Sequence, residues 1–216
     1  MECARISFAG AKPGEENMGD KKYPVITISR EYAAYGRTVA RGLSEALGIP
    51  FYDKDFVRMT AEKSGYSEEE IKLEGERMSR ASRFLNGLLN NAMVYNSSYD
   101  GIFNAQKEVV LELAEKGPCI IVGRCADDIL TEADVPVFKV FLYADMKHRI
   151  VRASELDENA GRDPEKAIEK RDILRSTYYK QYTGKEFGDY KNFNICLDTG
   201  AIGTDKCVEI LAGLFK

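Results

Sequence analysis

The sequence predicts an α/β fold in which a five-stranded parallel sheet lies between two layers of helices. From Val25 onward, short β-branched or apolar runs alternate with segments of helical period, the pattern of strands joined by helical crossovers. Runs such as Cys119-Ile-Ile-Val122 are continuously apolar, as strands covered on both faces must be, and parallel strands are buried that way. A third observation places a ligand on this frame. Residues 25–38 pass from a β-branched run through a turn into Gly36-Arg37-Thr38 at a helix start. There, free backbone N–H groups and the positive end of the helix dipole converge on an anion.

The elements follow in order. A first strand over residues 25–29 carries Val25, Ile26 and Ile28, and the amphipathic helix 38–47 after it is closed by Gly48. Residues 50–52 read as a short strand and 55–63 as a helix stopped at Gly65. Ser67-Glu-Glu-Glu70 has the N-cap and acidic first turn of a further helix. Helix 103–116 ends at Gly117-Pro118, and strand 119–122 follows directly. Strand 137–143, helices 145–156 and 163–182, strand 193–197 and helix 203–215 complete the chain. Two stretches, 67–102 and 155–192, break the alternation and are expected as insertions over the carboxyl edge of the strands, where ligands bind. Residues 1–22 read as a flexible leader to a domain spanning 23–216, with Met18 as an alternative start.

Composition narrows the functional classes. A chain of 216 residues is long enough for one sizeable core and a small mobile subdomain. Lys plus Arg total 31 against 35 for Asp plus Glu, a net of −4, which argues against bulk electrostatic binding of nucleic acid or an anionic membrane and leaves room for a local basic cleft. No apolar run approaches the roughly 20 residues that span a bilayer, and residues 1–20 lack the apolar core of a secretory signal. The five cysteines are odd in number and include no Cys-x-x-Cys pair; Cys119, Cys196 and Cys207 sit in apolar segments, as small buried thiols in a reducing cytoplasm do. With one histidine, His148, which reads as a helix-surface residue, neither a histidine-rich metal site nor a Ser-His-Asp triad is expected.

The turn after the first strand is a degenerate phosphate loop. Against the pattern Gly-x-x-x-x-Gly-Lys-Ser/Thr, Glu31 stands at the first Gly, Gly36 at the second, Arg37 at the Lys and Thr38 at the Ser/Thr. Alone it also fits an ordinary strand-to-helix connection. Further motifs follow in one order: Ser29-Arg-Glu-Tyr-x-x-x-Gly36-Arg37, Gly48-Ile-Pro-Phe-Tyr-Asp53-Lys, Ile120-Ile-Val-Gly123-Arg124-Cys-Ala-Asp127, and Asp172-x-x-Arg175-x-x-Tyr178-Tyr179 followed by Tyr182-Thr-Gly-Lys185. As a set they resemble the cytidylate kinase-like family of P-loop proteins, a branch of the nucleoside monophosphate kinase fold, over residues 23–216.

The resemblance implies a P-loop NTPase-type three-layer α/β/α fold, with 67–102 a helical acceptor-side insertion and 155–192 the lid and its following loop. It implies an ATP-dependent phosphotransferase acting on a nucleoside monophosphate such as CMP or dCMP, with Mg²⁺ as cofactor and small-molecule nucleotides, not nucleic acid or membrane, as partners. Arg30, Glu31, Tyr32, Ala33, Ala34, Tyr35, Gly36, Arg37 and Thr38 would wrap the donor phosphates, Arg37 facing the β/γ-phosphates and Thr38 offering its hydroxyl to Mg²⁺. Arg149, or secondarily Arg152, would stack on the donor base. Asp53, Arg58, Gly123, Arg124 and Asp127 would hold the acceptor; Cys125 occupies the family's Asp position, so that role passes to Asp127 or Asp128. Arg171, Asp172 and Arg175 share a helix face and, with Arg37, would act on the transferring group, while Ile168 stands where the family has another arginine. Tyr178, Tyr179 and Tyr182 read as packing and hinge aromatics. Arginine for lysine is not neutral, and Ala33, Ala34 and Tyr35 are not residues that favour positive φ. Two alternatives remain: a nucleotide-binding regulator with weak catalysis, and a kinase of another small molecule.

Overall fold

The computed structural model describes residues 25–53, 55–69, 71 and 97–215. The leader 1–22 and most of the 67–102 insertion lie outside the described residues. The elements are β1 (Val25–Arg30), α1 (Gly36–Leu47), β2 (Phe51–Tyr52), α2 (Asp55–Ser64), α3 (Ser97–Glu115), β3 (Cys119–Val122), α4 (Ala126–Glu132), β4 (Val137–Tyr143), α5 (Met146–Ser154), α6 (Pro164–Thr183), β5 (Ile195–Asp198), α7 (Thr199–Ile202) and α8 (Thr204–Gly213).

All strand pairs are parallel, in the order β2-β3-β1-β4-β5. Successive β1 residues face opposite sides of the sheet. Ile26 and Ile28 pack with Val39 and Leu43 of α1 and Cys207 and Leu211 of α8. Val25 packs on the other side with Phe56 of α2, Val109 and Leu113 of α3, and Ile129 and Leu130 of α4. Each such fully buried aliphatic side chain contributes about 1.5–3 kcal/mol. The connection leaving β1 thus packs on one face and that leaving β3 on the other, although the two strands are neighbours. That reversal opens a crevice at their carboxyl ends.

The structure adds an element that periodicity did not reveal. Helix α4 has only seven residues, and two of its buried positions are Asp127 and Asp128, so its inner face does not read as apolar. The long helix α6 starts at Pro164 behind Asp163, whose carboxylate accepts from the N–H groups of Glu165 and Lys166, and stops at Gly184 with φ 69°. Tyr182 near its end stacks on Phe103 of α3, with ring centroids 3.8 Å apart, the packing role expected of it. Cys119, Cys125 and Cys207 are buried and Cys196 is half-buried; burial pushes the Cys119 thiol up to about 11. Among the described residues no helix is long and apolar enough to cross a membrane.

Candidate active site

The turn after β1 leads into a helix whose N-terminus is left open. Among the described residues no side chain caps α1, and no acidic residue stands in its first turn. By contrast, Asp145 caps α5 and Asp163 caps α6. The first N–H groups of α1 therefore have no acceptor from a capping side chain and point toward whatever anion enters. Thr38 is exposed on that first turn. The turn itself bends through Ala33 (φ 61°) and Tyr35 (φ 55°), left-handed conformations that cost a side-chain-bearing residue about 1–2 kcal/mol each.

A buried guanidinium holds that turn in place. Arg149, on α5 and 5% exposed, donates Nε to the Tyr32 carbonyl at 2.9 Å, Nη1 to Glu31 Oε2 at 3.0 Å and Nη2 to the Asp172 carboxylate. Asp172 Oδ1 accepts the Tyr32 N–H at 2.7 Å. The Tyr32 hydroxyl donates to Glu158 at 2.5 Å and meets Asn159, so both backbone polar groups of Tyr32 and its hydroxyl are tied to α5 and the lid. Glu31 also accepts from the Ala144 N–H at 3.3 Å; burial raises its carboxyl above the usual range, and the Arg149 charge opposes that rise. The structure thus puts Arg149 in a load-carrying strut rather than against a donor base, and Asp172 on the loop backbone rather than in the cleft. The ring of Tyr35 lies under the Arg152 guanidinium at 5.1 Å.

A cleft of about 800 Å³ opens at the carboxyl ends of β1 and β3. Of the residues expected in the site, it gathers Arg30, Arg37, Asp53, Gly123, Arg124, Arg171 and Arg175. Five arginines face Asp53, Glu68 and Glu158 there, a local excess of positive charge in a chain of net −4. Arg37 Nε is hydrogen-bonded to Asp53. Arg171 and Arg175 stand over the Tyr32 ring at 5.3 and 5.4 Å. Burial, and then the charge of Arg30, pull the Arg175 guanidinium well below its ordinary value. Cations that repel one another in a partly desolvated cleft are stabilised by an anion held between them.

Gly123, Arg124 and Cys125 are left-handed in succession, with φ 78°, 63° and 54°. This turn leaves both Arg124 and the nearly buried Cys125, 4% exposed, lining the cleft.

Several expected residues lie elsewhere. Arg58 is exposed and pairs with Glu62 one turn along α2 at 3.2 Å, apart from the cleft-lining residues. Asp127 is 2% exposed and accepts from the Tyr179 hydroxyl at 2.8 Å; burial raises its pKa, and it does not line the cleft. Asp128 is equally enclosed and accepts from Lys185 Nζ at 2.5 Å. Glu31, Tyr32, Ala33, Ala34, Tyr35 and Gly36 form the turn without lining the cleft. Sequence reasoning missed Glu68, Glu158, Leu174 and Phe187 as lining residues. Glu158 sits in the charged run at the head of the lid, and its charge alone did not separate it from its neighbours.

Residues 25–201 match the cytidylate kinase-like family. A cytidylate kinase of Thermoplasma volcanium is 27% identical over 180 residues, covering 81% of this chain and 82% of that protein. A cytidylate kinase of Methanothrix thermoacetophila is likewise 27% identical over 180 residues, covering 82% of this chain and 88% of that protein. Among solved structures, an uncharacterized protein from Eubacterium ventriosum superposes with a TM-score of 0.62 at 22% identity, over 89% of this chain and 98% of that one. A shikimate kinase from Bacteroides thetaiotaomicron gives 0.53 at 14% identity, over 88% and 97%. At these identities the structural likeness shows the fold, the P-loop-type α/β fold of kinases. The chain belongs to the cytidylate kinase-like family.

Proposed function

We propose that this member of the cytidylate kinase-like family is an ATP-dependent phosphotransferase whose acceptor is a nucleoside monophosphate such as CMP or dCMP. One observation carries the reading: five arginines line a single cleft, and one of them, Arg37, stands in the first turn of a helix whose N-terminus has no side-chain cap. Phosphoryl transfer asks little covalent chemistry of a protein; it needs donor and acceptor in line and positive charge around the migrating group. The N–H groups at the start of α1 grip the donor phosphates, with Arg37 beside them. Arg124, on the turn after β3, holds the acceptor phosphate from the opposite wall. Arg171 and Arg175 bring charge from the lid, where it counts most in the transition state. The exposed Thr38 hydroxyl in the first turn of α1 would offer Mg²⁺ an oxygen; bound with ATP, the ion would neutralise phosphate charge. The ATP requirement fits a cytoplasmic setting.

A second reading, nucleotide binding with little turnover, is favoured by Asp172, which is engaged with Tyr32 and Arg149. A coupled ADP-release assay over nucleoside monophosphates and small alcohols separates the readings. Turnover with CMP or dCMP is the expected result. ATP binding without turnover supports the second reading, and turnover with a non-nucleotide alone reassigns the acceptor.

A further inference from the structure

Arg30 ends β1, and its side chain crosses the cleft floor between two glycines. A Cβ on Gly36 would meet Arg30 Cγ at 2.7 Å and Cβ at 3.2 Å, and a Cβ on Gly123 would fall on Nη1. Gly36 opens the helix that takes the donor phosphates; Gly123 opens the turn that carries Arg124. The Arg30 stem therefore packs against Gly36 on one wall, and its guanidinium against Gly123 on the other. Its side chain is 17% exposed, its Nη2 lies 3.6 Å from Asp53, and its carbonyl accepts from Arg175 Nη1 at 2.9 Å. Burial, against the opposing pull of Asp53, lowers its pKa to about 10, so it stays charged at neutral pH. The lid position where an arginine was expected carries Ile168 instead, fully buried and packed in one cluster with Tyr32 and Ala153. No charge reaches the cleft from there.

We propose that Arg30 is a catalytic residue, a cation fixed at the end of the central strand that hydrogen-bonds the phosphoryl group in flight and supplies from the sheet the charge that position 168 does not. The assignment rests on the phosphotransferase reading above. In the step, an acceptor oxygen bonds to the γ-phosphorus while the bond from that phosphorus to the β–γ bridging oxygen breaks. ADP leaves with the bonding electron pair, and any proton on the acceptor passes to solvent. Arg30 neither gives nor takes a proton; its Nη1 and Nη2 face the equatorial oxygens. Because it is anchored on a strand, this charge is in place before the lid acts, without reorganisation. The same placement explains glycine at position 36, where the constraint is the Arg30 stem.

The test compares wild type, Arg30→Ala and Arg30→Lys by calorimetric titration with MgATP and by initial rates with the fastest acceptor of the panel, CMP first. Arg30→Ala is expected to lower kcat about 10²- to 10³-fold while MgATP affinity stays within about threefold. Arg30→Lys is expected to recover little, since an ammonium is a point charge and does not present the planar fork that donates to two phosphoryl oxygens at once. Millimolar guanidinium is expected to restore part of the Arg30→Ala rate, which a purely structural defect would not allow. A kcat within about threefold of wild type, or an equal loss in MgATP affinity, overturns the role of Arg30 alone. Wild type that fails to bind MgATP overturns the phosphotransferase reading and this assignment with it; wild type that binds it without turnover overturns the assignment and leaves nucleotide binding standing. Gly36→Ala supplies a check independent of activity. It is expected to lower the urea midpoint in wild type and to do so much less in the Arg30→Ala background. Equal losses in both backgrounds overturn the placement of the Arg30 side chain.

Discussion

The turns after β1 and β3 both leave a buried central strand, both hold a Gly-Arg pair, and both bend through left-handed backbone at residues other than glycine: Ala33 and Tyr35 in one, Arg124 and Cys125 in the other. They differ in what is tethered. In the first, Glu31 and Tyr32 are bound into the Arg149–Asp172 network, so side chains anchor the turn and the N–H groups at the start of α1 face outward. In the second, the short helix α4 is anchored by Asp127 on Tyr179 and Asp128 on Lys185, while Arg124 lines the cleft. One turn offers its backbone to a ligand, the other a side chain. Strained backbone at a binding site is kept in place by surrounding structure, and here each turn has its own support.

Removing those supports one at a time tests whether they are separate. The largest effect is expected from Arg149→Met, which leaves Glu31 and Asp172 facing each other without their shared cation. Breaking a buried ion pair from one side costs about 3–5 kcal/mol, measurable by urea unfolding, and MgATP affinity is expected to fall with it. Unchanged MgATP affinity would show that the strut does not shape the donor turn. Lys185→Met is the counterpart on the other side. It strips the partner from enclosed Asp128 and is expected to cost about 1–3 kcal/mol and to raise the acceptor KM, with MgATP binding as in wild type; a matching loss of MgATP affinity would join the two turns into one unit.

A smaller effect is expected from Asp127→Asn and should depend on pH. Burial holds the Asp127 carboxyl above its ordinary value, so the native state keeps a proton that the unfolded chain releases near about pH 3.9. That contribution to stability is fully present below the unfolded pKa and is lost as pH rises through the raised native one. Urea midpoints from about pH 4 to about pH 8 are expected to fall less steeply in the variant than in wild type; identical slopes would remove Asp127 from the account. The smallest effect belongs to Arg58→Ala. Exposed and paired only along its own helix among the described residues, Arg58 is expected to change stability by less than about 0.5 kcal/mol and to leave acceptor KM unchanged; a raised KM would return it to the acceptor site.

The fold was legible because parallel strands must be apolar on both faces, and runs like Val25–Arg30 and Cys119–Val122 stand out from their helical surroundings. Helix α4 was not, because two of its inward positions are aspartates whose partners, Tyr179 and Lys185, lie more than fifty residues away in sequence. Three of the five cleft arginines, Arg37, Arg124 and Arg175, were readable from the Gly-Arg and Asp-x-x-Arg spacings. Arg149 was misassigned because a basic residue on a helix looks the same in sequence whether it reaches solvent, a base or two buried carboxylates. The span of Arg30 between Gly36 and Gly123 depends on strands adjacent only in the sheet, and no local pattern encodes it.

The account depends on a polyphosphate seated at the start of α1. Titration of ¹⁵N-labelled protein with MgATP, followed through the backbone amide resonances, tests this directly. The largest shifts are expected at Gly36, Arg37 and Thr38, with smaller ones at Arg171 and Arg175. Saturable binding that leaves those first three amides unmoved would contradict it.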